Sequence, residues 1–245
     1  MTKLILFYLL FLNSTFAFLN IESLRQEKLQ GRNLTGSTGV RLNDQRGNVD
    51  KTLIQFNTLN MMTNGRSNFI FLASYRYGKS FSREDTRQGD IHLRYTREFT
   101  SRTFGEIFQQ TEFNKFENLT LRILAGGGLR LQLFKNEHQS LFSGLGAFYE
   151  KEDLIGTDDP ENPRGNLYLS YLYKKKNYNI SSTLYYQPNL EDTGDGRFRF
   201  STGLETKFLG SFSQILEYTI KRDSRPPQGI KKTDARLSAG LSYHY

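Results

Sequence analysis

The sequence predicts an all-β fold, a transmembrane antiparallel up-and-down β-barrel of about twelve strands, on three observations. Segments of alternating apolar and polar residues run from Leu34 to the end, broken by turn residues. The chain is rich in aromatics (20 Phe and 14 Tyr) although its mean hydropathy is only −0.58. Its last segment alternates most cleanly and ends on Tyr245. Aromatic and β-branched residues suit a pleated, half-buried surface. After the first twenty residues no stretch approaches the roughly 18 apolar residues of a membrane helix. A membrane reading therefore requires a barrel, because only helices and closed barrels satisfy their backbone groups in lipid.

Composition removes several chemistries. The absence of Cys excludes disulfides, thiolate catalysis, Cys-ligated metals and a lipid-modified N-terminal Cys. A formal charge of +8 suits nucleic acid, anionic headgroups or an anion-attracting interior, and charge alone does not choose.

The N-terminus chooses. Met1-Thr2-Lys3 is a short positive region, Leu4 to Leu12 is apolar, and Asn13 to Ala17 is small and polar. This is the tripartite secretory signal, so residues 1–17 are expected to be cleaved near Ala17. Export makes nucleic acid a poor partner and points to the outer membrane of a Gram-negative bacterium, with outer-membrane lipids and lipopolysaccharide around the barrel. Residues 18–33 depart from the alternation, and Ile21 to Leu29 reads as a short amphipathic helix or leader on the periplasmic side. A fold-back plug is the alternative.

Residues 34–245 then divide at turn signals into strands near 34–42, 50–62, 67–79, 87–97, 102–114, 119–134, 139–151, 164–174, 178–188, 195–206, 211–222 and 232–245. Phe69, Phe71, Ala73, Tyr75 and Tyr77 face away from Ser74 and Arg76. Ile91, Leu93 and Tyr95 oppose His92 and Arg94. Leu119, Leu121, Ile123, Ala125, Gly127, Leu129, Leu131 and Leu133 oppose Arg122, Arg130 and small residues. Phe198, Phe200 and Leu204 oppose Arg197, Arg199 and Glu205. Short turns are expected at Asn64-Gly65, Thr100-Ser101, Lys135-Asn136, Lys176-Asn177 and Leu209-Gly210. Longer segments are expected at Ser80–Thr86, Lys151–Arg164, Asn189–Asp195 and Asp223–Lys231. Short turns on one side and longer loops on the other suit an outer-membrane barrel.

In the last strand Leu237, Ala239, Leu241, Tyr243 and Tyr245 form one stripe. Such a strand suits recognition by the barrel-assembly machinery through strand pairing.

Leu190-Glu191-Asp192, Asp223, His92-Leu93-Arg94-Tyr95, Arg122 with Gly126, Gly128, Leu129 and Arg130, and above all Pro226-Pro227-x-Gly229-x-Lys231-Lys232-Thr233-Asp234 resemble the salt-induced outer-membrane protein family. The resemblance spans roughly residues 20–245. It implies an outer-membrane barrel of poorly defined role and supplies no catalytic residues.

The charged residues expected in the lumen are Arg41, Arg76, His92, Arg94, Arg122, Arg130, Arg197, Arg199, Glu205, Glu217, Asp234 and Arg236, with Glu150 a further partner. An Arg on the lipid face near the midplane would cost about 2–4 kcal/mol, which places these residues inside. They read first as ion pairs filling the narrow lumen of a structural or stress-linked barrel, and second as the lining of a small anion-attracting channel. A surface receptor or a lipid hydrolase are weaker readings. Of three His, His138 falls in a turn, His244 at the chain end and His92 inward, none at an outer rim where a lipid ester would lie. No catalytic residue, metal or cofactor is expected. Loop acids at Asp158, Asp159 and Glu161, and from Glu191 and Asp192 to Asp195, are numerous enough for Ca²⁺ or divalent bridging to lipopolysaccharide, but they lack the spacing of a calcium loop and read as solvated.

Overall fold

The computed structural model describes residues 34–48, 50–156, 160–209 and 212–243. The expected signal segment and leader, the acids Asp158 and Asp159, His244 and Tyr245 lie outside the described residues. Twelve strands follow one another: β1 (Leu34–Gln45), β2 (Lys51–Asn64), β3 (Ser67–Ser80), β4 (Arg83–Glu98), β5 (Thr103–Asn114), β6 (Leu119–Lys135), β7 (Gln139–Leu154), β8 (Glu161–Lys175), β9 (Tyr178–Pro188), β10 (Gly196–Leu209), β11 (Phe212–Asp223) and β12 (Thr233–Tyr243). A turn of 3₁₀-helix, Lys115–Glu117, joins β5 to β6.

Each strand pairs antiparallel with its neighbours in sequence, giving a single up-and-down sheet from β1 to β12 without crossovers. The sheet curls around one interior: Arg197 on β10 bonds Glu150 and Glu152 on β7, and Tyr168 on β8 reaches Glu106 on β5. This is the barrel geometry the alternation predicts. The outward face is apolar and uncovered, as Ile107 (62% exposed), Leu145 (65%) and Leu237 (68%) show. A contiguous exposed surface of that kind belongs against lipid rather than water. Inward residues are buried, among them Ile70, His92, Glu150, Arg164 and Ser170. Among the described residues no helix is long and apolar enough to cross a membrane.

The two rims differ. Gly65-Arg66 and residues 99–102, 136–138 and 176–177 close one rim tightly. Residues 81–82, 115–118, 189–195 and 224–232 lie at the other, and the last two are the longest connections among those fully described.

Three expectations are corrected. Ser80–Thr86 is not a loop; β3 and β4 run on to a two-residue turn at Phe81-Ser82, whose φ values of 47° and 63° are those of a mirror-image hairpin turn. The Lys151–Arg164 segment is mostly strand, and Arg164 is buried in β8. Leu119 turns inward, 4% exposed, because the β6–β7 register shifts between Leu119 and Leu121. An extra residue at a bulge reverses the face of what precedes it.

Candidate functional site in the barrel lumen

Two layers of polar side chains fill much of the interior. The larger is built on three arginines. Arg122 on β6 donates to Glu112 on β5 and to Glu152 on β7. Arg164 on β8 donates to Glu150 and, at 2.5 Å, to Asp195 in the β9–β10 loop. Arg197 on β10 donates to Glu150 (2.7 Å), Glu152 (2.7 Å) and Asp223 (2.9 Å). Glu150 is fully buried, with one oxygen on Arg164 and the other on Arg197. Buried charges persist only where geometry and further hydrogen bonds offset their desolvation, and the planar guanidinium fork meets that requirement. Asn189 and Ser224 add bonds to Asp195 at 3.4 and 3.3 Å. Burial pushes the Asp195 carboxyl up, but the hydrogen bond and charge of Arg164 outweigh this and hold it below the usual carboxylate range.

The second layer is a cluster behind the first. Arg94 and Glu106 pair at 3.4 Å, the Tyr168 hydroxyl donates to Glu106 at 3.0 Å, and Arg130 bonds Tyr168 at 3.4 Å. All four residues are at most 6% exposed. Arg130 also lies 4.0 Å over the Phe142 ring, and Arg94 5.2 Å over Phe108. Both contacts are cation–π pairs in a desolvated setting. The Tyr168 ring occupies the space a Cβ at Gly144 would need, so β7 carries Gly there to admit the ring.

His92 links the layers. Its Nε2 accepts from Arg94 at 3.3 Å, which leaves the proton on Nδ1, facing Gln110 Oε1 at 3.1 Å. Gln110 then donates to Glu112 at 2.7 Å. The ring is thus a neutral relay between two ion networks.

On the side of the longer loops a cavity of about 790 Å³ opens, lined from β2 round to β12 and by the loops at Pro160, Glu191 and Pro226-Pro227. Arg76, Arg94, His92, Arg122, Arg197, Arg199, Asp234 and Arg236 line it. Arg130 lies behind it; Glu205, on β10, accepts from Asn179 at 3.4 Å. Glu217 is half-buried on β11. The Arg41 side chain lies outside the described residues, although its backbone pairs with Gln55, whose side chain is buried. Of the stripe on β12, Leu237 is exposed and Ala239 half-buried; the side chains of Leu241 and Tyr243 lie outside the described residues. Glu106, Glu112, Glu152, Arg164, Tyr168, Lys221 and Asp223 escape sequence reasoning, and Asp195, read as a solvated loop acid, instead accepts from the buried Arg164. Parity could have found Glu152 from Glu150, and Lys221 and Asp223 from Glu217. On β5 parity fails, because Phe104 and Phe108 share the inward parity of Glu106 while Gln109 and Thr111 lie on the opposite one. Among the described residues no group of His, Asp and Glu could hold a metal ion.

The fold and lumen define a transmembrane β-barrel with a charged, partly filled interior. The chain belongs to the family described as "protein of unknown function, DUF481", whose model matches residues 40–245. Among solved structures it is similar to one titled "NanC porin structure in rhombohedral crystal form", at 9% identity and a TM-score of 0.51, covering 86% of this chain and 99% of that one. That likeness concerns the fold. No curated protein matches the chain.

Proposed function

We propose that this chain is a non-enzymatic barrel of the bacterial outer membrane, exported by its signal segment, with a lumen packed shut by side chains behind a loop-facing cavity. The observation that carries this is the Arg94–Glu106–Tyr168–Arg130 cluster, buried and mutually bonded where a pore would have to pass. The apolar outer belt and the alternating last strand support a place in the membrane. A structural or stress-linked role belongs to the same proposal; loss of growth at raised osmolarity in a deletion strain supports it, and unchanged growth counts against it.

Planar-bilayer recording tests the closed lumen. The unmodified protein gives no steady openings, whereas the double substitution Glu106→Ala and Tyr168→Ala produces them. Steady openings of the unmodified protein would favour the second reading, a narrow channel for small anions. That reading draws on the basic wall of the cavity and on the structural neighbour's being titled a porin.

A further inference from the structure

We propose that the amides of Asn162, Asn166 and Gln187, with the Tyr185 ring beside them, bind an uncharged polyhydroxylated solute, a sugar entering from the loop-side mouth. This holds whether or not the lumen conducts.

A half-used pair of amides carries the inference. The β8–β9 register, with Leu167 opposite Tyr186 and Arg164 opposite Asn189, sets Asn166 opposite Gln187, and both line the cavity. Gln187 Nε2 donates to Asn166 Oδ1 at 3.2 Å. This head-to-tail contact leaves the Asn166 Nδ2 donors and the Gln187 Oε1 acceptor without a partner among the described residues. Asn166 is only 5% exposed, and the surface it keeps opens on the cavity. An amide buried this deeply costs stability unless something bonds it. Nearer the mouth, Asn189 Nδ2 donates to Asn162 Oδ1 at 2.8 Å, which leaves the Asn162 Nδ2 donors open in the same way.

The charges around these amides are already spent. Arg164 bonds Glu150, Asp195 and the Gln187 carbonyl. Arg197, opposite Gln187 on β10, bonds Glu150, Glu152 and Asp223. An ion bound at the amides would have to displace one of these partners. A hydroxyl both donates and accepts, so a sugar diol meets the Asn166 donors and the Gln187 acceptor together and leaves every ion pair in place. Tyr185, one inward row deeper on β9, packs on Tyr168 at 5.3 Å between ring centroids and lines the cavity. It supplies an aromatic surface for the C–H side of a sugar ring, with a polar tip. The volume of about 790 Å³ falls within the range of small-molecule sites.

Saturation-transfer NMR tests this on the full-length protein, held in an amine-oxide detergent that carries no sugar. Maltose and sucrose are titrated, with citrate as the charged control. At least one of the two sugars should take up magnetisation saturably, and citrate should not. Asn166→Leu combined with Gln187→Met removes both amides together at similar shape, a change that folding tolerates. It should weaken sugar binding about tenfold or more, as expected for one or two lost hydrogen bonds. No saturable transfer to either sugar, an equal response to citrate, or unchanged sugar affinity in the folded double variant overturns the proposal. Should that variant fail to fold, Asn162→Ala nearer the mouth decides: weakened sugar binding supports the site, and unchanged affinity overturns it.

Discussion

Glu150 is the most demanding single residue in the molecule, because its charge is fully buried and depends on Arg164 and Arg197 together. Removing one partner from such a site strands the other. Arg164→Met is therefore expected to lower unfolding stability by about 3–5 kcal/mol, measured by urea titration in lipid vesicles. Asp195 adds a pH dependence of known sign. Its folded-state pKa is depressed, so its contribution is present above the unfolded value of about 3.9 and is lost as pH falls through the lower folded value. Acid unfolding of Asp195→Asn should consequently show a weaker pH dependence below about pH 4 than the unmodified chain. An identical acid slope in both would show that the carboxylate is not linked to folding.

At the scale of the element, β7 and β8 show how a missing side chain positions a present one. Gly144 leaves room for Tyr168, which in turn holds Glu106. Gly144→Ala should displace the ring and loosen the plug while leaving the strands paired, visible as bilayer conductance without loss of folded protein. On the outward face, Ile107→Arg near the membrane midplane should cost about 2–4 kcal/mol. The same elements show what was legible in the sequence. Strands with apolar residues outward and charges inward, such as β4 with Ile91 against His92 and Arg94, declare both their period and their orientation. In β5 the inward Phe104 and Phe108 flank an acid, so hydropathy no longer says which face is which. Arg164 follows an Asp-Asp-Pro-Glu-Asn-Pro run that reads as a turn, although β8 begins within it at Glu161. The bulge at Leu119 shifts a face without any residue type that announces it. Twelve strands were legible because lipid imposes one rule on every outward position. Partners across the lumen were not, because they depend on curvature and stagger.

For the whole molecule, the division between a bonded interior cluster and an open loop-side cavity decides the expected behaviour. A barrel of about 8 strands fills with side chains and one of about 16 holds water, so twelve strands permit both conditions in one lumen. The expectation at this scale is that the purified protein gives no steady conductance in a planar bilayer. Within the cavity wall Glu112, Glu150, Glu152, Asp195 and Asp223 gather around Arg122, Arg164 and Arg197.

The arginine network joins strands far apart in the chain, with Arg197 bonded to residues 45 and 47 positions earlier. None of its bonds across β7 and β10 can form until the sheet has curled, so they are absent from early assembly. Interactions made after the rate-limiting step leave the folding rate nearly unchanged and slow the reverse reaction. Arg197→Met is therefore expected to speed unfolding of the barrel more than it slows folding, read from the two rates in lipid vesicles.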